Sequence, residues 1–389
     1  MSRLRLIIAT TVLTVAAPAS AVTIGSDEVN PLEIHGFASQ GWIKTWDNNY
    51  LAESRAERGS FEFSEVGVNV TKQFGDKLRM GTQLFARKLG PLGNYNAKMD
   101  WFYIDYRFRD WLGLRAGRVK MPFGLYNEIN DVDAARAQVL LPQSVYPAAN
   151  RDFLLAQSGG ELYGLIPLAI FGNLEYRLYA GVIQIDTPAN EPGAPVRIDR
   201  LRVPYVMGGR LMWETPLEGL RVGGSLQDLR LDTTATFGGV ETVNVEIPAV
   251  LWVASAEYTY ENLLLAAEYS RWHVQSQNSS NPAIFPDDQE TTSERAYVMG
   301  TYRITDWLQP GAYYSLLFPN TREREGRANI QNDIAATFRF DITENWLVKL
   351  EGHYMLGTAD LSTALNDGKP RSELKKEWGL VLVKTTAYF

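Results

Sequence analysis

The chain has 389 residues, a formal net charge of −7, no cysteine, three histidines and an aromatic content of 12%. The acidic balance argues against a protein that binds nucleic acid broadly, and the absence of cysteine excludes disulfides. The length suits either two or three soluble domains or one large barrel.

The N-terminus has the features of a secretory signal peptide. Arg3 and Arg5 form a basic region, and Leu6–Val15 is an apolar run too short to cross a bilayer as a helix. The small residues Ala19–Ala21 follow it as a cleavage site. We therefore predict a signal peptide over residues 1–21, cleaved after Ala21, and one barrel domain over 22–389. Loss of the two arginines would take the net charge from −7 to −9.

After the signal peptide, apolar and polar residues alternate with a period of two. Ile334, Ala336 and Phe338 alternate with Asp333 and Thr337, for example. The same alternation recurs along the chain, and no run of about 18 apolar residues predicts a transmembrane helix. A soluble β-sandwich would also alternate, so the choice between sandwich and barrel depends on other features.

Three features favour a transmembrane barrel over a sandwich. Tight turns alternate with longer polar loops, as in outer-membrane barrels. Aromatic residues such as Trp111, Trp307 and Trp346 lie beside the tight turns, where a membrane–water boundary would hold them. The chain also ends on a strand whose last residue is Phe389. We predict an all-β fold: a transmembrane antiparallel β-barrel of about sixteen strands, with both ends in the periplasm.

The predicted strands have these approximate bounds: 33–45, 60–73, 77–88, 99–108, 112–120, 159–169, 172–184, 205–215, 220–233, 246–260, 263–275, 294–304, 308–318, 329–341, 346–357 and 374–389.

The longest segment without strand periodicity, Gly124–Ser158, follows the strand at Leu112. Segments of this length without strands are uncommon in compact folds unless they are functional. We predict that this loop (about 124–158) folds into the lumen, and that its apolar run Ala137–Pro142 packs against the wall or a neighbouring subunit. The alternative is a mobile extracellular lid.

The alternation breaks where this loop begins. Leu114 and Ala116 place Arg115 on the polar, inward face, but Arg118 and Lys120 then fall on the apolar face. A charge facing lipid at mid-depth costs about 2–4 kcal/mol. We therefore predict either a strand that has left the bilayer or, as the favoured interpretation, a bulge at Gly117 that turns both cations inward.

The inward face of the predicted wall is more basic than the chain as a whole. Its predicted cations are Arg79, Arg87, Arg107, Arg115, Arg177, Arg210, Arg221, Arg303, Arg339, Lys349 and Lys384. Its predicted anions are Glu65, Asp105, Glu175, Glu214, Glu257, Glu268, Asp333 and Glu351. These charges could pair across strands and stiffen the wall, or together they could favour anions.

Residues Gly117–Leu125 resemble the G-R-x-K-x-P-F-G motif of the phosphate- and polyphosphate-selective porins O and P. The resemblance implies a trimer of barrels with a loop folded into each pore, and anion selection by wall arginines and lysines near the constriction. The loop here contains two cations, Arg136 and Arg151, and no dense lysine cluster. The residues expected to line the pore or its constriction are Arg115, Arg118, Lys120, Arg79, Arg107, Arg136 and Arg151.

The expected function is passive diffusion of small hydrophilic solutes, with a preference for phosphate-like anions, through the outer membrane of a Gram-negative bacterium. The expected partners are outer-membrane lipid and two further copies of the chain, and no cofactor is expected. An alternative is a barrel with an occluded pore that acts in structure or surface interaction.

An outer-membrane hydrolase is the least favoured class. The chain has no G-x-S-x-G and no H-E-x-x-H motif, and its three histidines lie on separate strands. Asp131 and Asp133 form a D-x-D pair, but that pair alone is a weak indication of a metal site. We therefore expect no enzymatic activity.

Overall fold

The computed structural model describes residues 22–24, 30–186, 196–286 and 290–389. The predicted signal peptide, residues 1–21, lies outside the described residues. Within the described part of the chain, no helix is both long and apolar enough to cross a membrane.

The described residues form one sheet of eighteen strands, all antiparallel to their neighbours. Two of these strands are short: Val22–Ile24, which pairs with the first long strand, and Asn278–Ser279. The sixteen long strands are β1 (Leu32–Trp46), β2 (Phe63–Phe74), β3 (Leu78–Leu89), β4 (Lys98–Arg109), β5 (Leu112–Lys120), β6 (Ala156–Pro167), β7 (Asn173–Ile183), β8 (Val196–Glu214), β9 (Leu220–Phe237), β10 (Glu241–Tyr260), β11 (Leu263–Val274), β12 (Thr291–Tyr302), β13 (Leu308–Phe318), β14 (Gln331–Thr343), β15 (Trp346–Gly357) and β16 (Glu377–Tyr388).

The sheet closes on itself. Each long strand pairs with the next, and β16 pairs with β1 from Gly379↔Trp46 to Tyr388↔Phe37. The backbones of Gly36 and Phe389 also exchange two hydrogen bonds, of 3.1 and 3.0 Å. Closure satisfies the ladder groups that an open sheet would leave unpaired. The predicted sixteen-stranded antiparallel barrel is therefore confirmed.

The alternating apolar and polar residues of the strands face opposite sides of the sheet, with the apolar side chains exposed and the polar side chains buried. On β14, Ile334 and Phe338 are 54% and 44% exposed, whereas Asp333, Thr337 and Arg339 are at most 4% exposed. A soluble protein buries its apolar residues and exposes its charges. Here the outer surface is an apolar belt and the charged face is enclosed, which is the arrangement of a barrel in lipid.

Strand connections differ in length at the two ends of the barrel. Seven connections at one end are short, and exposed aromatic residues lie beside them, among them Trp111, Phe171, Trp307 and Trp346. At the other end the connections are longer, apart from the tight turn 238–240 between β9 and β10. That turn closes a tall hairpin: β8, β9 and β10 have 19, 18 and 20 residues. The predicted strands are too short here: β8 and β10 begin earlier than predicted, and β9 ends later.

The bulge predicted at Gly117 is not found. Both ladders of β5 pass Gly117 without a register shift, and this residue instead adopts φ +131°. A Cβ here would lie 2.4 Å from the carbonyl oxygen of Phe102, so the position requires glycine. The extra residue is in the neighbouring strand, where Asp100 lies unpaired between Met99 and Trp101.

Candidate functional site

The segment between β5 and β6, residues 121–155 and hereafter the β5–β6 loop, forms many hydrogen bonds and ion pairs with the wall of the barrel. It begins with Pro122, which cannot continue the ladder, and Gly124, which turns the chain at φ +63°. Short helical turns follow at Asn127–Ile129 and Asp133–Ala135, and later at Ala148–Leu154. Its contacts with the wall fall into three groups.

The start of the loop is fixed to β9, β10 and β11. The backbone N–H of Gly124 donates to Ser225 at 2.8 Å, and that of Leu125 donates to Glu268 at 2.9 Å. The Tyr146 hydroxyl also donates to Glu268, which is 3% exposed. Buried carboxylates are costly unless their oxygens are hydrogen-bonded, and these donors supply the bonds for Glu268.

A second group of contacts joins the loop to β15 and β16. Asp133 receives the ammonium groups of Lys349 and Lys384 at 3.0 and 3.3 Å, and the hydroxyl of Thr386 at 2.7 Å. Both lysines are fully buried.

Glu351, also on β15, fixes the apolar run of the loop. Its two carboxylate oxygens each accept a backbone N–H at 2.8 Å, from Val139 and from Leu140. His353 lies 3.1 Å from the same carboxylate and 2.9 Å from Asp333. This histidine is thus bound by two acids.

The third group lies on β4–β8 and consists of ion pairs. Glu128 pairs with Arg177 and, at 3.1 Å, with Arg210. Asp131 binds Lys120 of β5 at 3.4 Å and, within the loop, Arg151 at 2.5 Å. Arg151 in turn pairs with Asp100 of β4 at 2.6 Å. One loop therefore contacts strands that are far apart in the sheet order, from β4 to β16.

The apolar run of the loop packs as predicted. Val139 and Leu140 join a buried cluster with Ile43, Phe63 and Leu380 of the wall. Leu141 belongs to another cluster, with Val145, Tyr146, Tyr297, Met299 and Tyr313. Packing against the wall, one of the two predicted environments of this run, is confirmed.

The acids of the loop are held in their charged form. Burial alone would raise the pKa of Glu128, but Arg177 and Arg210 outweigh burial and lower it to about 2. Arg151 and Lys120 likewise hold the pKa of Asp131 below its ordinary range despite burial. Lys349 and Lys384 do the same for Asp133. The loop thus carries fixed negative charge against a basic wall.

Acid is expected to weaken the loop's attachment at Glu128 only below the usual carboxylate range. The pKa falls from an ordinary 4.5 to about 2, so this stabilisation is complete above pH 4.5 and is lost as the pH falls through about 2. Thermal unfolding of the wild type and of Glu128→Gln in detergent checks this. The difference between their midpoints should persist to about pH 4 and shrink below it. Disappearance of the difference already at pH 4.5 would show that the arginines do not hold this carboxylate.

Five of the seven residues expected to line the pore are engaged in internal contacts. Arg115 pairs with Asp105 at 2.9 Å and Glu161 at 3.2 Å, and Arg118 donates to the carbonyl of Asp100 at 2.8 Å. Lys120 and Arg151 bind Asp131, as described above. Arg136 donates to the carbonyl of Val139 at 2.7 Å and lies 3.8 Å from Asp133.

Arg79 and Arg107 differ from these five. Both are exposed near the short-connection end, and neither forms an ion pair with any residue that the structure describes. Their register places them on the face of Asp105 and Arg115. Whether any of the seven lines an open pore stays a prediction.

Sequence reasoning missed the partners that fix the loop. It placed Glu268, Glu351, Lys349 and Lys384 on the inward face, as cross-strand pairs or as wall charges that favour anions, and did not predict that they bind the loop. It considered Asp133 as a weak metal ligand, whereas the structure surrounds it with ammonium groups. Within the described ranges, no group of three or more acidic or histidine side chains could hold a metal ion. An excess of acids in a loop opposite an excess of wall cations was the signal available.

The fold is similar to those of solved outer-membrane proteins. OmpT of Vibrio cholerae, in a trimer form, is 11% identical, with 93% of this chain and 100% of that chain covered and a TM-score of 0.59. An anion-selective porin from Comamonas acidovorans is 12% identical over 92% and 100%, with a TM-score of 0.55. The outer-membrane channel DcaP of Acinetobacter baumannii is 11% identical over 94% and 99%, with a TM-score of 0.52.

No protein-family model matches the sequence, and no curated protein matches it. At these identities the likeness to solved structures shows a shared fold. The resemblance of residues 117–125 to the phosphate-selective porins therefore remains a prediction from one motif.

Proposed function

We propose that this chain is an outer-membrane porin of a Gram-negative bacterium, through which small hydrophilic solutes diffuse passively. The observation that carries the proposal is the combination of a closed barrel, an apolar outer belt and an enclosed charged face. The similarity in fold to the Comamonas porin and the Acinetobacter channel supports it. The apolar belt of the barrel would contact the lipid of the outer membrane. The signal peptide predicted over residues 1–21 would direct export of the chain across the inner membrane.

In this proposal the β5–β6 loop lies inside the barrel and narrows the pore. Its contacts support that placement, because Glu128 reaches β7 and β8 while Asp133 reaches β15 and β16. A segment that binds enclosed side chains of such distant strands has to cross the space between them. Passage then occurs through the space that the loop leaves, past the exposed cations Arg79 and Arg107.

The proposed selectivity is a modest preference for anions, phosphate-like ones among them. Among the residues predicted to lie on the inward face of the wall, cations outnumber acids. The similar porin from Comamonas acidovorans is described as anion-selective. The acids of the loop offset part of that charge, so the preference should be weak. Because the Vibrio neighbour was solved in a trimer form, we also propose a homotrimer.

No chemical step is needed for this function, so we propose that the chain is not an enzyme. A channel requires a water-filled path and wall charges that shape the field in it.

The reversal potential of a planar bilayer containing the purified protein tests the proposal. In a KCl gradient the reversal potential should be displaced toward the equilibrium potential of chloride, and the displacement should be larger at low salt. The Debye length is about 10 Å at 0.1 M and about 3 Å at 1 M, so salt screens the wall charges. Closure of one reconstituted unit in three equal steps would support the trimer. Absence of conductance would overturn the proposal.

One observation favours a second candidate function, a barrel occluded by its own loop and serving in structure or surface interaction. Large side chains where the loop meets the wall are fully enclosed, among them Phe123, Tyr146 and Lys349. An occluded barrel would be heat-modifiable in detergent gels like a porin, yet would not conduct.

A further inference from the structure

Arginines and tyrosines alternate on the enclosed face of β3–β6. The guanidinium carbon of Arg79 lies 5.8 Å from the ring centre of Tyr103, and that of Arg115 lies 4.8 Å from the same ring. Arg115 also lies 5.1 Å from the ring centre of Tyr163. Arg79, Tyr103, Arg115 and Tyr163, hereafter the arginine–tyrosine stack, thus come from four successive strands.

Glycines make room for the two rings. Tyr103 is opposite Gly81 and Gly117 in the ladders, and Tyr163 is opposite Gly113. A Cβ at Gly81 would lie 2.9 Å from Tyr103, and one at Gly113 would lie 2.2 Å from Tyr163. The rings therefore cover bare backbone. Trp101 extends the aromatic surface, since its ring is nearly parallel to that of Tyr103 at 5.5 Å and 14°.

The central arginine of the stack is bound by two carboxylates, whereas the arginines at its edge form no ion pair with a described residue. Arg115 is bound by Asp105 and Glu161. Arg79 and the neighbouring Arg107 are exposed and have no ion-pair partner among the described residues. Asp105 is opposite Arg79, and Arg107 lies two residues beyond it, so the two arginines are diagonal neighbours. Such positions are about 7–8 Å apart.

An aromatic surface beside guanidinium groups that form no ion pair with a described residue suits one class of small anion. A carboxylate accepts two parallel hydrogen bonds from a guanidinium. A planar ring attached to that carboxylate can stack on the guanidinium and tyrosine planes, which a non-planar ring cannot do as well. We propose that the arginine–tyrosine stack, with Arg107, is a binding subsite for aromatic carboxylates. The inference rests on the proposed function, because it names a solute class for that pore.

Two probes of equal charge and similar size test the subsite: benzoate and cyclohexanecarboxylate. Each is added to a bilayer containing the full-length protein in KCl, and the reduction of current is measured against concentration. Benzoate should block at concentrations about tenfold lower, because only its ring stacks. Titration calorimetry of the detergent-solubilised protein with the same two probes gives a readout independent of conduction.

Variants locate the site. The double variant Arg79→Gln and Arg107→Gln should lose binding of both probes, while Tyr103→Leu should lose only the preference for benzoate. Arg303→Gln serves as the control, since it removes an arginine near the same end of the barrel outside the stack. Gel migration before and after boiling shows that each variant is folded.

The outcomes separate the inference from the proposed function. A conducting wild type that treats the two probes alike would overturn the subsite and leave the porin in place. A non-conducting protein that binds benzoate in the calorimeter, with loss in the double variant, would overturn the porin and retain a binding site. No binding heat with benzoate would overturn the subsite in either case.

Discussion

Deletion of residues 130–150 is expected to raise the unit conductance of the protein severalfold. The deleted part includes Asp133 and the apolar run, which anchor the loop to β15 and β16. The base of the loop remains, because Asn127 still bridges the carbonyl oxygens of Met121 and Leu154 at 2.9 and 2.7 Å. Conductance rises with the cross-section of the water-filled path, so removal of the segment widens the narrowest part. Single-channel recording in 1 M KCl measures it.

A deletion of residues 322–326 provides the control for this result. That segment is exposed in the connection between β13 and β14, away from the contacts of the β5–β6 loop. Its removal should leave the unit conductance unchanged. Equal conductance in wild type and in the 130–150 deletion, with both proteins heat-modifiable, would mean that the loop does not narrow the path.

The second large effect is expected from Asp133→Asn, which should shift selectivity toward anions. The substitution removes the negative charge that lies beside Lys349, Lys384 and Arg136, and Lys384 keeps its ion pair with Glu65 at 2.6 Å. One unit charge about 8 Å from a permeating ion, at an effective dielectric constant of about 20, contributes about 2 kcal/mol. That energy exceeds a tenfold change in permeability ratio before salt screens it. Reversal potentials at 0.1 M and 1 M KCl measure the shift, which should be larger at 0.1 M.

Loss of a buried ion-pair partner also destabilises a protein, by about 3–5 kcal/mol in typical cases. The double variant Asp133→Ala and Lys349→Met removes both charges and separates stability from selectivity. It should recover part of the lost stability and show a smaller selectivity shift than Asp133→Asn. The matched surface control is Asp367→Asn. The Asp367 carboxylate is exposed and pairs at 3.5 Å with Arg55, which is also exposed. An unchanged reversal potential in Asp133→Asn would place the selectivity elsewhere on the wall.

The barrel was predictable because its signal repeats. The two-residue alternation recurs in most of the strands, and an apolar exposed face such as that of Ile334 and Phe338 recurs with it. The tall hairpin of β8–β10 was harder to predict. Its upper parts, which include Arg197 and Asp199, carry polar residues on both faces, and the alternation that marks a lipid-facing strand is lost there.

The loop's partners were not predictable from local sequence. Asp133 is 216 residues from Lys349 and 251 residues from Lys384 along the chain. Only closure of the barrel brings β15 and β16 beside a loop that follows β5. Gly117 shows a similar limit, because a glycine that breaks an alternation can mark either a bulge or a backbone torsion. The conformation at Gly117 is a torsion, with the bulge one strand away at Asp100.

Osmotic swelling of liposomes that contain the wild-type protein measures directly whether the path beside the β5–β6 loop is open. A neutral pentose is the probe, because the charges of the wall do not select for or against an uncharged solute. Liposomes with the wild-type protein should swell faster than empty liposomes, and liposomes with the 130–150 deletion should swell faster still. If liposomes with the wild-type protein do not swell while those with the deletion do, the loop occludes the barrel and no open path exists beside it.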